Sequence, residues 1–103
     1  MAFSANGALQ DHTYRLRLAG ELDIGSLPDA ETAATTAFEG DWERLIVDLK
    51  ALEFMDSSGL RFVTELHARC SSADRKLSIE PGPPAVQRVF EITGLDGLLP
   101  FER

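Results

Sequence analysis

The first clear pattern along the chain is an alternation of apolar and polar residues. Within residues 13–19, Leu16 and Leu18 alternate with Arg15 and Arg17. Because successive side chains of a strand point to opposite faces of a sheet, this period of two predicts a strand with one buried face and one face in water. A further strand within the first ten residues is also considered, but their pattern does not decide it.

Two later segments also have strand patterns. Residues 45–49 form a short, continuous and partly β-branched segment that is apolar except for Asp48, which predicts an inner strand covered on both faces. Residues 76–80 alternate around Leu77 and Ile79, as a half-buried strand does. A short terminal strand near Phe101 is left open.

A first helix is predicted between the first and second strands. Ser26 and Asp29 have the spacing of a capping box, and apolar residues recur at helical spacing as far as Phe38. Gly40 is expected to end this helix, because glycine adopts a left-handed backbone without steric strain.

Two more helices follow the second and third strands. One begins just after Ser57 and Ser58, and the other lies between the proline-rich turn 81–84 and Gly94. The buried stripe of the former is predicted to contain Leu60, Val63, Leu66 and Cys70. Alternating strands and helices in a chain of 103 residues predict one α/β domain over residues 1–103. Its sheet is expected to be mixed and mostly parallel, with about four to five strands packed by three or more helices.

Charge and composition exclude several classes of function. Seventeen acidic and ten basic residues give a net charge of −7, which repels a nucleic-acid backbone. The apolar runs are far shorter than the ~20 residues of a membrane helix, and the start lacks a secretion signal, so we expect a cytoplasmic protein without membrane insertion. One cysteine and two histidines favour neither a metal site nor redox chemistry, and no cofactor is predicted.

The turn Asp56-Ser57-Ser58-Gly59 is the strongest candidate site. It converts the end of an apolar strand into a helix, where free N–H groups and the helix dipole can accommodate an anion. The simpler interpretation is a helix cap worth roughly 1 kcal/mol. On these four residues alone, the cap is the better interpretation.

Wider context favours a functional interpretation of this turn. The segment Phe54-Met55-Asp56-Ser57-Ser58-Gly59-Leu60, together with Val47-Asp48-Leu49, resembles the signature of STAS domains of the anti-sigma factor antagonist family. Gly20-Glu21-Leu22-Asp23 resembles the family's first strand exit, and residues 84–95 resemble its last conserved helix and turn. The resemblance spans about residues 13–101 and implies a single STAS domain.

The resemblance implies a phosphorylation switch. The serine after the aspartate is the one phosphorylated in the family, which corresponds to Ser57 here. The unmodified protein would bind an anti-sigma factor, a serine kinase, and so release a sigma factor, and a phosphoserine phosphatase would reset the system. The residues expected to contact the partner are Asp23, Asp56, Ser58, Gly59 and Leu60. For Asp23, a role in capping the turn before the first helix is equally open, whereas Asp48 is expected to be structural.

Two other functions stay open at this point. The first is an unmodified STAS scaffold or accessory subunit of a signalling or transporter assembly. The second is an enzyme that uses Ser57 with His67 or His12, which is disfavoured because Gly-x-Ser-x-Gly is absent and His67 lies ten residues along the helix. The resemblance also implies that the terminal helix of longer family members is missing or reduced.

Overall fold

A four-stranded mixed sheet organises the fold. In the computed structural model, which describes residues 2–102, the strands are β1 (Ser4–Gln10), β2 (Thr13–Leu22), β3 (Arg44–Met55) and β4 (Lys76–Glu80). The helices are α1 (Leu27–Phe38), α2 (Ser57–Ser72) and α3 (Pro84–Ile92), followed by a 3₁₀ turn over Leu95–Gly97. The strand order is β1-β2-β3-β4, with β1 antiparallel to β2 and the other pairs parallel. The predicted fold class is confirmed, and both open strands have counterparts, β1 and an isolated bridge between Ile79 and Phe101.

One face of the sheet forms the core. Leu16 and Leu18 of β2 lie on the same face as Val47 of β3 and Ile79 of β4, and all four side chains are buried. The three helices close this face with the buried residues Ala30, Ala34, Phe62, Val63, Leu66, Cys70, Val86 and Phe90. The buried stripe predicted for α2 did not include Phe62, which is part of the core. Leu60, which it did include, is only half-buried at the edge of the core.

The opposite face of the sheet corrects the prediction that residues 45–49 are covered on both sides. Asp48 points to this face and is buried, but it lies beneath charged side chains. Its carboxylate accepts hydrogen bonds from Arg15 (3.3 Å) and Arg17 (3.4 Å), and Arg15 also donates to Glu80 at 2.6 Å. Because the Arg17 side chain is 58% exposed, this face is a charged surface and not a second core. The geometry supports the structural role expected of Asp48.

Strand β3 continues beyond the predicted residues 45–49 as far as Met55. Two irregularities in this part of the strand change the spacing of its buried side chains. The pairing with β2 shifts between Arg17 and Ala19 and again between Gly20 and Glu21, and each time β3 has the extra residue. A bulge of this kind changes which side chains of a strand face the core. Leu49, Leu52 and Met55 are therefore all buried although they are spaced by three.

The ends of α1 differ from the prediction. Ser26 precedes the helix but makes no capping bond, because its hydroxyl donates to the Glu21 carbonyl instead, at 2.8 Å. The prediction of a left-handed backbone at Gly40 is also wrong, because Gly40 has no positive φ. The residue that caps the end of α1 is Glu39, in a right-handed conformation. Gly40 is instead packed closely, because an added Cβ would lie 3.2 Å from Trp42 Cδ1 and 3.3 Å from the Ala37 carbonyl oxygen.

Candidate functional site

Asp56 caps the helix that begins at the candidate site. Its backbone is extended (φ −106°, ψ −169°), and one carboxylate oxygen accepts hydrogen bonds from the N–H groups of Ser58 (2.8 Å) and Gly59 (3.4 Å). These N–H groups lie in the first turn of α2, where no helical carbonyl is available to them. The cap predicted from the sequence is therefore present, and it is made by the aspartate and not by either serine.

Ser57 is the first residue of α2, and its side chain lies at the surface. Ser57 is exposed and Ser58 is half-buried. Within residues 2–102, no group hydrogen-bonds to the hydroxyl of Ser57. The capping bonds of the helix are accepted by the Asp56 carboxylate. The fold thus leaves the Ser57 hydroxyl available to another molecule.

Gly59 brings α2 into direct contact with the strands beneath it. A Cβ at this position would lie 2.4 Å from Met55 Cγ and 2.9 Å from Leu22 Cγ, so no larger residue fits without a shift. From the sequence, Gly59 was placed in the local frame of the site and among the residues expected to contact a partner, whereas in the structure it is buried. It faces the ends of two apolar strands. Because Gly59 has no side chain, the start of α2 can lie close to the sheet.

Asp23 lies beside this turn. Leu22 and Met55 are paired neighbours at the carboxyl ends of β2 and β3, and the N–H of Asp56 donates to the Leu22 carbonyl at 3.3 Å. The Asp23 carboxylate accepts from the N–H groups of Gly25 (3.0 Å) and Ser26 (3.1 Å). The turn-capping role considered for Asp23 is therefore present, at the same sheet edge as Ser57.

Apolar residues lie next to the two acidic turns in the chain, and of these only Leu60 was singled out from the sequence. Ile24 directly follows Asp23 and is 76% exposed, while Phe54 precedes Met55 and is 48% exposed. Half-buried Leu60 lies one turn into α2. Large exposed apolar residues beside polar turns are typical of protein-binding surfaces. The signal for Ile24 was its position in a polar loop.

The surroundings of Ser57 do not supply the parts of a hydrolytic site. His67 lies ten residues further along α2, about 15 Å at a helical rise of 1.5 Å per residue. Among the described residues, no group of three His, Cys, Asp or Glu side chains could hold a metal ion. Burial raises the pKa of the Cys70 thiol to about 11, which leaves it protonated and unreactive at neutral pH.

The arrangement of strands, helices and capped turn matches a known family. A family model described as "Mlab, STAS domain" matches residues 6–100. The chain belongs to the STAS domain family. Among curated relatives of this STAS domain, the "Anti-sigma-B factor antagonist" of Staphylococcus aureus is 31% identical over 90 residues, which cover 87% of this chain and 83% of the relative. The protein from Staphylococcus epidermidis with the same name is 28% identical over 89 residues.

Solved structures have the same fold as this STAS domain. An anti-sigma factor antagonist from Mycobacterium paratuberculosis superposes with a TM-score of 0.88 at 24% identity, over 97% of this chain and 85% of the other. The anti-sigma factor antagonist SpoIIAA in its unphosphorylated form gives 0.76 at 26% identity, over 99% and 89%. The phosphorylated form of the Bacillus cell fate determinant SpoIIAA gives 0.71 at 26% identity, over 99% and 92%.

The names of these relatives are those of regulatory proteins. Those compared are described as antagonists of anti-sigma factors. In residues 2–102, none of the helices has the length and apolar character needed to cross a membrane.

Proposed function

We propose that this STAS domain is an anti-sigma factor antagonist whose binding is switched off by phosphorylation of Ser57. The unmodified protein binds an anti-sigma factor, which releases the sigma factor. That anti-sigma factor is a serine kinase, and it ends the complex by transferring phosphate to Ser57. A phosphoserine phosphatase restores the binding form, and the cycle takes place in the cytoplasm.

The observation that carries this proposal is the division of roles between Asp56 and Ser57. Asp56 makes the capping bonds, whereas the Ser57 hydroxyl is exposed at the first position of α2. A phosphate of about −1.5 to −2 charge at a helix N-terminus is favoured by the helix dipole. Modification therefore leaves the fold intact, and the change is confined to the surface.

The binding surface is formed by the two turns at the carboxyl edge of the sheet. We expect Asp23, Asp56, Ser58, Gly59 and Leu60 to form it together with Ser57, Gly59 being buried beneath the turn. Ile24, which directly follows Asp23 and is 76% exposed, extends the surface with apolar area. Burial of such apolar groups contributes to affinity, and the acidic groups fix the orientation of a partner.

Phosphate disrupts such a complex for two electrostatic reasons. A new dianion next to Asp56 must lose its hydration when the partner covers it, and it meets the like charge of that carboxylate. A change from nearly complete to nearly absent binding requires about 5.5 kcal/mol of differential affinity. Truncation of a buried charge pair at an interface changes affinity by about 2–5 kcal/mol, so a dianion is of the required order.

Phosphorylation by candidate anti-sigma kinases tests the proposal. The protein is incubated with ATP and each kinase, and the modified residue is identified by mass spectrometry, with Ser57→Ala and Ser58→Ala as a matched pair. We expect phosphate on Ser57 in the parent and in Ser58→Ala, and none in Ser57→Ala. Phosphate on Ser58 or elsewhere would contradict the assignment.

Binding by the same variants separates a switch from a scaffold. Ser57→Ala should bind the kinase and stay bound in the presence of ATP, whereas Ser57→Asp should bind weakly. If both variants behave like the parent, the protein is an unmodified STAS scaffold and the switch is wrong.

A further inference from the structure

Strand β1 is an edge strand. The sheet order places β2 on one side of β1, and within residues 2–102 no strand pairs with its other side. The outward N–H and C=O groups of alternate residues along β1 are therefore open to a further strand. Such an edge is a directional binding surface, because a second strand can satisfy these groups in register.

The two edges of the sheet are treated differently. At β4, the main chain of Ile79 is covered by the terminal segment, since its N–H donates to Pro100 (3.0 Å) and its carbonyl accepts from Glu102 (2.8 Å). The seven residues of β1 read SANGALQ and contain neither a charged residue nor a proline. Charges, prolines and covering segments are the usual protection of an edge against pairing. Strand β1 has none of these along its described outer side.

Strand β1 also has complementary features along its length. Ala5, Gly7 and Leu9 share the helix-covered face of the sheet, because their partners in β2 are Leu18, Leu16 and Tyr14. Leu9 is 54% exposed. A groove of about 500 Å³ lies between β1 and α1 and is lined by Ala5, Gly7, Tyr14 and Ala33, among others. The same strand thus carries a projecting apolar side chain and one wall of a groove.

We propose that β1 pairs antiparallel with β1 of a second copy of this chain, about a twofold axis at Gly7, to form a dimer with a continuous sheet. In that register Ala5 lies opposite Leu9 of the second copy, and Asn6 lies opposite Ala8. Each Leu9 side chain then reaches the groove beside Ala5 of the other copy. Leu9 and the groove beside Ala5 lie at equal distances from Gly7 along the same strand, so two copies match each other twice, and this self-complementarity favours a second copy as the occupant.

The dimer is independent of the switch. Ser57 lies after β3, and β1 is separated from β3 by β2. Pairing through β1 therefore leaves the Ser57 surface of each copy uncovered, and one dimer presents two such surfaces. Because each copy has a net charge of −7, added salt should strengthen the association by screening the repulsion between copies.

Sedimentation of the full chain over a wide concentration range tests the proposal. We expect a reversible rise from 11.3 kDa to twice that mass, and a shift of the midpoint to at least tenfold higher concentration in Leu9→Lys. Leu98→Lys is the control, since Leu98 is 74% exposed outside β1. A monomer at all concentrations would overturn the proposal, as would a dimer that Leu98→Lys weakens and Leu9→Lys does not.

Crosslinking tests the register even if Leu9→Lys disturbs folding. Asn6→Cys and Ala8→Cys are mixed and oxidised, because a disulfide forms between directly opposite residues and not between diagonal ones, and buried Cys70 is a poor substrate. The mixture should give more crosslinked dimer than either variant alone, because residues 6 and 8 lie opposite each other. Equal crosslinking in all three samples would contradict this register, and protection of β1 amides from exchange only after another protein is added would contradict pairing between copies.

Discussion

The main chains of Asp56 and Leu22 are joined by a hydrogen bond of 3.3 Å, from the N–H of Asp56 to the carbonyl of Leu22. This bond continues the pairing of β2 and β3 to their last residues. It also fixes the two acidic turns side by side, so that the turn after Leu22 and the start of α2 form one surface. The position of Ser57 therefore depends on the sheet as much as on its own helix.

Close packing at Gly59 predicts that Gly59→Ala destabilises the protein. A Cβ there would lie 2.4 Å from Met55 Cγ, and overpacking of this kind typically costs about 1–3 kcal/mol. The free energy of unfolding, measured by urea titration, should fall by that amount. Gly97→Ala is the matched control: a Cβ there meets nothing within 4 Å, so its effect should be within about 0.5 kcal/mol of zero. Equal effects of the two changes would contradict the packing described for Gly59.

Arg61 is predicted to interact with a phosphate on Ser57. The two residues are four apart on the exposed face of α2, where side chains at this spacing are neighbours. In the unmodified protein, Arg61 lies 3.8 Å from Glu65, a weak pairing between exposed groups. A nearby positive charge favours the phosphate dianion, so Arg61→Gln should raise the second pKa of phosphorylated Ser57.

Phosphorus NMR titration measures this effect directly. The phosphorylated parent, Arg61→Gln and Arg88→Gln are compared, Arg88 being an exposed arginine on α3. The change should be a few tenths of a pKa unit in Arg61→Gln, as expected for an exposed pair. The same shift in Arg88→Gln would indicate a general charge effect and would contradict a specific contact.

The charged face of the sheet predicts a loss of stability in acid. The hydrogen bond from Arg15 holds the pKa of Glu80 below its usual range, with a smaller contribution from Lys50. The folded state therefore binds the Glu80 proton less readily than the unfolded state. The contribution of Glu80 is full above the unfolded pKa of about 4.3 and is lost as pH falls through the lower folded pKa.

Replacement of Glu80 isolates this contribution. Glu80→Gln should reduce stability at pH 7 by less than about 1 kcal/mol, because solvent screens the partly exposed pair. The difference from the parent should shrink below pH 4. Exposed Glu31→Gln is the control and should leave the pH profile unchanged. A Glu80→Gln profile parallel to that of the parent would contradict the assignment.

The order of elements could be predicted from the sequence because most segments have a regular period. Residues 76–80 and the start of α2 follow their patterns and lie where predicted. Strand β3 was predicted only in part, because its two irregularities replace the period of two by spacings of three that no strand pattern contains. The continuous segment 45–49 likewise gave no sign that Asp48 would be buried beneath Arg15 and Arg17 on a charged face.

The candidate site was located from the sequence, but its packing was not. Asp56 has the residue type and position of a cap, and the structure has it in that role. The tight fit of Gly59 against Leu22 depends on contacts between residues distant in the chain, which a local pattern does not contain.

The affinity of the anti-sigma factor for this protein, with and without phosphate on Ser57, tests the central claim most directly. Calorimetry compares the unmodified protein with a homogeneous phosphorylated sample, after circular dichroism has shown that both are folded. We predict that the unmodified protein binds and that phosphate weakens binding by at least about 10³-fold, roughly 4 kcal/mol. Equal affinities of the two forms would contradict the account.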